Sequence, residues 1–527
     1  MIINRVAFCL IIILSLFAIY CSIIIGLSWD EFFHHINGSH RYEYLRTFGK
    51  FTDYNYVDNR YYPGLYDTFH FLVLKFFLNF FPKNILEIKH LIHLSFGFLT
   101  LLGLFFISKN IFNKEIASIA VLLCLLNPFF YGHMSINPKD TIICFALIWF
   151  AHSTYMYCVN IQKGNFSFVL LASLFMGLGL GIRISFFAIT IPIILSALVF
   201  LVMNKKKYQE NLSFRKISVH ILIFLIISFL LMIIAWPHIH HSLFLLPKVI
   251  LHIIFNSITW NMGPTLELIN GNIYETFNTP RIYLLNFFVF RKPIYILILI
   301  FALIFFLIKD NEFFRSKFNN FNKKIIVIFS IIFFPILLAI ITGVKLYNGI
   351  RLFLFVIPWL SLLTAVCFYY IIKNIKKSFY IKIIFSLVMI SLLLFLQRFI
   401  YLTPYHYDYS NFFHAKFINT EKLYIHDYWA TSYKELFKLI NKDTSLNKIN
   451  SDFCGGDRHT VKYLANKYSG KKINFVPYEQ ADYIVMINTL STDINNKSSC
   501  FLLRPGKDIV TVKRLGVKLS VLRKLEK

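Results

Sequence analysis

The chain has 527 residues, 57% of them hydrophobic, and a mean hydropathy of +0.62. A soluble protein of this composition would expose large apolar surfaces, so the composition excludes a soluble globular protein and predicts an α-helical integral membrane protein. The net charge of +28 does not indicate a nucleic-acid partner, because Lys and Arg lie mostly between apolar runs and in the C-terminal region, where they set topology and meet anionic lipid headgroups.

Eleven apolar runs have the length and hydrophobicity of membrane-crossing helices. They cover residues 1–27, 90–107, 116–131, 141–160, 167–182, 185–203, 217–236, 293–308, 325–342, 352–372 and 381–400. A further run at 65–81 carries Asp67, His70 and Lys75, which predicts an interfacial or re-entrant helix instead of a full crossing. Residues 1–400 therefore form the predicted transmembrane domain, with large external loops at 28–64 and 237–292.

The distribution of Lys and Arg predicts the topology, because both residues are enriched in cytoplasmic loops. Three basic clusters, at 205–216, 309–324 and 373–382, are predicted to be cytoplasmic. Counting outwards from them places the loops 28–64 and 237–292, the turns at Arg183 and at 343–351, and the C-terminal region on the outer face of the membrane.

Residues 401–527 are more polar and predict a small α/β domain. Helical periodicity occurs at 433–441 and 458–467, and strand patterns occur at 473–476, 483–487 and 517–522. Cys454 and Cys500 lie in this domain and are expected to form a disulfide if the domain is outside the cytoplasm.

The sequence Ser28-Trp29-Asp30-Glu31 directly follows the first apolar run. Charge at the end of a membrane helix is costly, which favours a functional use for it. The spacing of Ser28 and Glu31 is that of a capping box, so the acids can simply begin a helix. In the functional interpretation, Asp30 is a general base for an acceptor hydroxyl and Glu31 orients the acceptor. Both interpretations stay open, and they are compatible.

A second polar motif, Asn137-Pro138-Lys139-Asp140, precedes the run that begins at residue 141. A helix N-terminus together with Lys139 predicts an anion site, and Asp140 can hold the lysine or a divalent cation. The alternative is that Asn137 or Asp140 only caps the helix.

Cations at two other external turns extend this pattern. Lys345, Tyr347 and Arg351 occupy one turn and Arg183 another. A guanidinium beside a Tyr suits a phosphate, although interfacial anchoring is the alternative. Asp30 and Asp140 are the candidate ligands for a divalent cation, whose requirement stays open, and no other cofactor is predicted.

Seven motifs occur in an order found in one family of membrane enzymes. They are Asp30-Glu31, Tyr62-Pro63-Gly64-Leu65, Asn137-Pro138-Lys139-Asp140, Trp236-Pro237, Asn270-Gly271-Asn272-Ile273-Tyr274, Tyr347-Asn348-Gly349-Ile350-Arg351 and Asp427-Tyr428-Trp429. With these motifs the chain resembles the protein-mannosyltransferase-like bacterial membrane glycosyltransferases, which have the GT-C fold and include a relative that transfers aminoarabinose to lipid A. Gly64 and Asn137 stand where the family often has Pro and His, and Asn137 removes one potential metal ligand.

The resemblance implies an enzyme of the bacterial inner membrane with its active site and C-terminal domain in the periplasm. It would move a hexose or pentose from a polyprenyl-phosphate donor to a hydroxyl of a lipid, polysaccharide or protein in the cell envelope, with inversion. In that interpretation Asp30 is the catalytic acid–base residue and Glu31 its acceptor-side neighbour, while Lys139, Asp140 and Arg351 lie near the donor phosphate.

Two other functions remain open at this stage. A transporter or lipid flippase would carry charges near the bilayer midplane and two related halves, whereas the marked charges lie at predicted membrane boundaries and no repeat is visible. A non-catalytic subunit of an envelope assembly would need Asp30 only as a helix cap.

Overall fold

The structure is a computed structural model. It describes residues 2–51, 53, 61–160, 166–204, 214–259, 266–275, 278–412, 423–446, 448–491 and 498–526. The predicted cytoplasmic residues Lys205, Lys206 and Lys207 lie outside this description, as do residues 54–60 of the predicted loop 28–64.

Helices dominate the chain up to residue 401. They are α1 (Ile2–Ile24), α2 (Trp29–Arg46), α3 (Leu65–Leu78), α4 (Ile85–Ile111), α5 (Lys114–Leu125), α6 (Pro128–His133), α7 (Asp140–Val159), α8 (Phe166–Leu180), α9 (Phe186–Met203), α10 (Phe214–Ile233), α11 (Pro237–His240), α12 (Leu245–Thr259), α13 (Tyr283–Phe290), α14 (Ile294–Lys309), α15 (Asn311–Lys317), α16 (Phe321–Thr342), α17 (Ile357–Asn374) and α18 (Phe379–Tyr401). A 3-10 turn, Arg351–Val356, leads into α17, and a two-stranded hairpin of β1 (Leu266–Ile269) and β2 (Asn272–Glu275) follows α12.

The prediction of a multi-pass helical membrane protein is confirmed. In the part of the chain that is described, eight helices have the length and hydropathy to cross a membrane, or nine if α13 and α14, bent by 106°, count as one. All eleven predicted runs are helical, but three fall short of a full span as single helices. Helix α14 has 16 residues and reaches the length of a span only together with α13. Helix α8 has only 15 residues, and the run 116–131 is split because Asn127 caps a new helix that starts at Pro128.

The central helix of the membrane domain is far more buried than the helices at its periphery. In the span Arg351–Asn374, 83% of the residues in the apolar window are buried, against 22% in α9, 11% in Arg215–Ile233 and 22% in α18. Helices that are apolar on all sides yet mostly exposed are suited to lipid contact. Helix α17 is therefore the packed centre of the membrane domain.

The predicted external loop 28–64 begins with a helix. Ser28 and Glu31 form the capping box, and the backbone N–H of Ser28 donates to Glu31 Oε2 at 2.7 Å. The capping interpretation therefore holds for Glu31, and it explains why α2 starts at Trp29. Helix α3 has 14 residues, fewer than a bilayer crossing requires.

The C-terminal region is the expected small α/β domain. Its elements are α19 (Tyr433–Lys442), β3 (Lys448–Cys454), α20 (Arg458–Tyr468), β4 (Lys472–Phe475), β5 (Tyr483–Ile487), α21 (Cys500–Leu503), β6 (Gly506–Arg514) and β7 (Val517–Leu525). The strand order is β4-β3-β5-β7-β6, with β3 parallel to β4 and β5, and β7 antiparallel to β5 and β6. Strands β3 and β6 were not predicted, because polar residues interrupt their apolar pattern.

This domain packs onto the membrane domain where α1 ends. Lys434 Nζ donates to the carbonyl oxygens of Ile23 at 2.8 Å and Ile25 at 3.0 Å. A cation at a helix C-terminus satisfies carbonyls that have no partner within the helix. Cys454 and Cys500 form a disulfide with a Cα–Cα distance of 5.6 Å.

Candidate active site

Asp30 forms an ion pair with an arginine 321 residues away in sequence. Its Oδ2 accepts a hydrogen bond from Arg351 Nη1 at 3.1 Å, with side-chain exposures of 22% for Asp30 and 5% for Arg351. Burial alone would raise the pKa of Asp30, but Arg351, His34 and Lys139 together hold that pKa below its ordinary value. Asp30 is therefore ionised at neutral pH.

Two aromatic rings hold the Arg351 guanidinium. Its Cζ lies 4.7 Å from the centre of the Tyr347 ring and 4.6 Å from that of the Trp429 ring. Contact with two ring faces stabilises a cation by cation–π attraction. It also keeps the planar group from turning away from Asp30.

A second ion pair lies at the start of α7. Arg183 Nη1 is 3.0 Å from Asp140 Oδ1, and Asn137 Nδ2 donates to Asp140 Oδ2 at 2.9 Å. Asn137 Oδ1 accepts the backbone N–H of Asp140 at 2.9 Å, so the predicted capping role belongs to Asn137. Burial would lower the pKa of Arg183, but Asp140 reverses this effect and the net shift is upward.

Lys139 lies between the two ion pairs. Its Nζ is 4.3 Å from the centre of the Tyr62 ring. Burial and the neighbouring Arg183 lower the pKa of Lys139, while Asp30 and Asp67 oppose that shift. The three cationic side chains Lys139, Arg183 and Arg351 outnumber the two carboxylates Asp30 and Asp140, so this group of five carries a net charge of +1.

Glu31 points away from this group. Its side chain is buried at 2% exposure, and its carboxylate lies 3.3 Å from His90 Nε2 and 3.9 Å from His93 Nε2 on α4. Adjacent residues of a helix project about 100° apart, which explains why Asp30 and Glu31 face different surroundings. This position favours a role for Glu31 in anchoring α2, and its predicted contact with the acceptor stays a prediction.

Lys345 and Tyr347 lie on the turn that leads to Arg351. Tyr347 contributes one of the rings against Arg351, and Lys345 is buried at 4% exposure at the start of the turn. The structure therefore brings Asp30, Lys139, Asp140, Arg183, Tyr347 and Arg351 together.

The motif Asp427-Tyr428-Trp429 contributes two aromatic rings to the site, a position that the sequence did not predict. Tyr428 Oη is 2.9 Å from His133 Nε2, and Trp429 Nε1 donates to the same nitrogen at 3.3 Å. Burial lowers the pKa of His133 to about 4, so the ring is neutral and the single lone pair of its Nε2 is shared by the two donors. The sequence signal was the aromatic pair after Asp427 in an otherwise polar segment, but it carried no indication of its partner.

The donor set does not favour a metal ion between Asp30 and Asp140, because each carboxylate faces an arginine. Within the described ranges, no group of three or more His, Cys, Asp or Glu residues is arranged to hold a metal.

The helix bundle, the C-terminal sheet domain and the charged site define a multi-pass membrane protein with the GT-C fold. ArnT from Cupriavidus metallidurans in the apo state has a similar fold, with a TM-score of 0.50 and 12% identity over 98% of this chain and 97% of ArnT. The structure of ArnT bound to undecaprenyl phosphate gives the same values. Residues 68–238 match the family model of dolichyl-phosphate-mannose-protein mannosyltransferases. The predicted resemblance to protein-mannosyltransferase-like enzymes is therefore confirmed.

A lower similarity is found to the oligosaccharyltransferase AglB from Archaeoglobus fulgidus, in complex with an inhibitory peptide and a dolichol-phosphate. The match covers 91% of this chain and 69% of AglB, at 8% identity and a TM-score of 0.47. No curated protein sequence is significantly similar to the chain.

Proposed function

We propose that the chain is a glycosyltransferase that moves a sugar from a polyprenyl-phosphate donor to an acceptor hydroxyl, with Asp30 as the general base. The observation that carries this proposal is the Asp30–Arg351 ion pair at 3.1 Å within a group of three cations. The match of residues 68–238 to the mannosyltransferase family model and the undecaprenyl phosphate bound to ArnT support it.

The cations suit the donor phosphate. Arg183 and Arg351 each offer a guanidinium fork that can bind two phosphate oxygens, and Lys139 adds a point charge. As the bond between the anomeric carbon and the phosphate oxygen breaks, negative charge builds on the lipid phosphate. Fixed cations stabilise that charge more in the transition state than in the bound donor, which is the requirement for catalysis.

Asp30 takes the proton of the acceptor hydroxyl. The hydroxyl oxygen attacks the anomeric carbon from the face opposite the phosphate, and its proton passes to Asp30 while the electron pair of the broken bond leaves with the lipid phosphate. A single displacement of this kind inverts the configuration at the anomeric carbon.

Donor binding would also activate the base. In the ligand-free protein, Arg351 holds the pKa of Asp30 low and makes the carboxylate a weak base. A phosphate that competes for the Arg351 guanidinium removes this counter-charge, so the pKa of Asp30 rises towards the value of a stronger base. We therefore infer that the donor binds before the acceptor loses its proton.

We place the site on the periplasmic face of the inner membrane, because the basic segments 309–324 and 373–382 mark the opposite ends of the helices as cytoplasmic. The acceptor is a lipid, polysaccharide or protein of the envelope, and the sugar is a hexose or pentose. Tyr428 and Trp429 bring the start of the C-terminal region to the site, which favours a role of this domain in acceptor recognition.

A two-part experiment tests this function. Envelope glycolipids and glycoproteins from cells with and without the gene are compared by mass spectrometry, and the sugar lost in the deletion names the donor. The purified chain in nanodiscs is then given that sugar on undecaprenyl phosphate. We expect release of undecaprenyl phosphate coupled to acceptor glycosylation; an unchanged envelope and no transfer would contradict the proposal.

A further inference from the structure

We propose that Glu267 is a positioning residue that holds the turn carrying Tyr347 and Arg351 in the geometry that receives the donor phosphate. The proposal rests on the proposed function for its catalytic consequence. The anchoring of the turn itself follows from the contacts of Glu267 with Asn348 and Tyr283 and does not depend on the proposed function.

Glu267 binds the turn through both carboxylate oxygens. Oε2 accepts the backbone N–H of Asn348 at 3.0 Å, and Oε1 accepts the hydroxyl of Tyr283 at 2.9 Å. The same Tyr283 oxygen accepts the backbone N–H of Gly349 at 2.7 Å. Two consecutive amides of the turn therefore end on Glu267, one directly and one through a hydroxyl group.

The backbone of the turn needs such an anchor. Asn348 and Gly349 have φ angles of 55° and 70°, in the left-handed region that Gly and Asn tolerate best. Successive amides that converge on one side of a turn form a concave site for an anion. Here the Asn348 amide meets the carboxylate of Glu267 and the Gly349 amide meets the Tyr283 hydroxyl, so the turn is anchored two residues before Arg351.

Glu267 also connects the turn to the opposite wall of the site. It lies on β1, and the hairpin β1–β2 is held to the segment before Trp429 by a bridge between Ile269 and Tyr424. At the tip of the hairpin, Gly271 N–H donates to the Leu423 carbonyl oxygen at 3.2 Å. The hairpin thus fixes both the turn that carries Arg351 and the segment that leads to the Trp429 ring stacked on it.

The cost of burying Glu267 indicates that its contacts matter. The side chain is 2% exposed, and burying a carboxylate is unfavourable unless it is paired or hydrogen-bonded. Tyr283, its neutral partner, is fully buried. None of these contacts reaches the reacting groups, so Glu267 acts through the position of the turn.

The test compares Glu267→Gln with Glu275→Gln, a matched control on the other strand of the hairpin. Glutamine keeps the size of the side chain but replaces one acceptor by a donor, which then meets an N–H or O–H group. Hydrogen exchange of the 345–351 segment and binding of undecaprenyl phosphate are measured on both full-length variants in nanodiscs. Tyr283→Phe is a second, milder variant that removes the hydroxyl group joining Glu267 Oε1 to Gly349 and keeps the direct hydrogen bond from Asn348 to Glu267.

In Glu267→Gln we expect exchange in 345–351 to rise at least about tenfold and undecaprenyl phosphate affinity to fall about 10- to 100-fold, as expected for misplaced binding groups. Tyr283→Phe should show a smaller change in the same direction, and combining it with Glu267→Gln should add little. In a transfer assay, the donor KM should rise more than kcat falls.

Two results would overturn the inference: exchange like that of the Glu275→Gln control, or faster exchange with unchanged phosphate affinity. If the wild-type chain transfers no lipid-linked sugar, the proposed function fails, while exchange and phosphate binding still decide the role of Glu267.

Discussion

The replacement Asp30→Asn separates the catalytic interpretation of this residue from a structural one. Asparagine has nearly the same shape, but it neither accepts a proton nor balances the charge of Arg351. In the proposed mechanism the carboxylate has two functions that oppose each other: it is the base, and, because it lies 3.1 Å from Arg351, it competes with the donor phosphate for that guanidinium. Removing the charge should therefore change transfer and donor binding in opposite directions.

The magnitudes follow from these two functions. Loss of a general base lowers the rate by about 10² to 10⁴, or roughly 3–5 kcal/mol in the activation barrier. A hydrogen bond between charged groups contributes about 1.5–3 kcal/mol when it is largely buried. Arg351 no longer has to leave this bond to reach the phosphate, so undecaprenyl phosphate should bind about tenfold more tightly in Asp30→Asn.

The assay measures both quantities on the same nanodisc preparation: single-turnover transfer with saturating donor, and equilibrium binding of undecaprenyl phosphate. Glu43→Gln is the control, because Glu43 lies on the same helix and forms an ion pair with the exposed Arg46. Transfer by Asp30→Asn at the wild-type rate would refute the general-base role. Weaker donor binding together with slow transfer would show that Asp30 only maintains the structure.

Three further predictions concern pH, metal ions and the disulfide. Burial raises the pKa of Glu267 to about 7, although its hydrogen bonds to Asn348 and Tyr283 and the charge of Arg351 oppose this shift. The donor KM should therefore rise as the pH falls through about 7, and Glu267→Gln should lack this dependence. Since the pKa of a glutamate in the unfolded chain is about 4.3, ionisation of Glu267 should lower the stability of the fold as the pH rises from about 4.3 to about 7. Because both site aspartates face arginines, chelation of divalent cations should leave transfer unchanged, and a loss restored by added Mg²⁺ or Mn²⁺ would contradict this. Opening the Cys454–Cys500 disulfide, whose cysteines are 46 residues apart, should destabilise the C-terminal domain by up to about 4 kcal/mol in denaturant titration. After reduction, a membrane-impermeant maleimide should label Cys454, the more exposed of the two, from the periplasm; labelling only from the cytoplasm would overturn the topology.

Features that depend on local pattern were predictable from the sequence. Apolar runs of membrane-spanning length become helices in lipid whatever their partners are, because the backbone must satisfy its own hydrogen bonds there. The start of α2 followed from the spacing of Ser28 and Glu31, and the two longer helices of the C-terminal domain, α19 and α20, were predicted to within one residue at their ends. The charged residues at helix ends were also visible, since they interrupt long apolar stretches.

Which side chains contact each other was decided only by the tertiary structure. The capping-box spacing distinguishes Glu31 from Asp30, but it does not indicate what either carboxylate faces: packing turns Asp30 towards Arg351, 321 residues away, and Glu31 towards His90 on α4. Glu267 lies in a segment whose composition indicated only a polar loop, and its importance appears when a hairpin brings it beneath a turn 81 residues later. Sequence spacing determines which face of a helix a side chain occupies, but the helix that covers that face is chosen by the packing of the whole bundle.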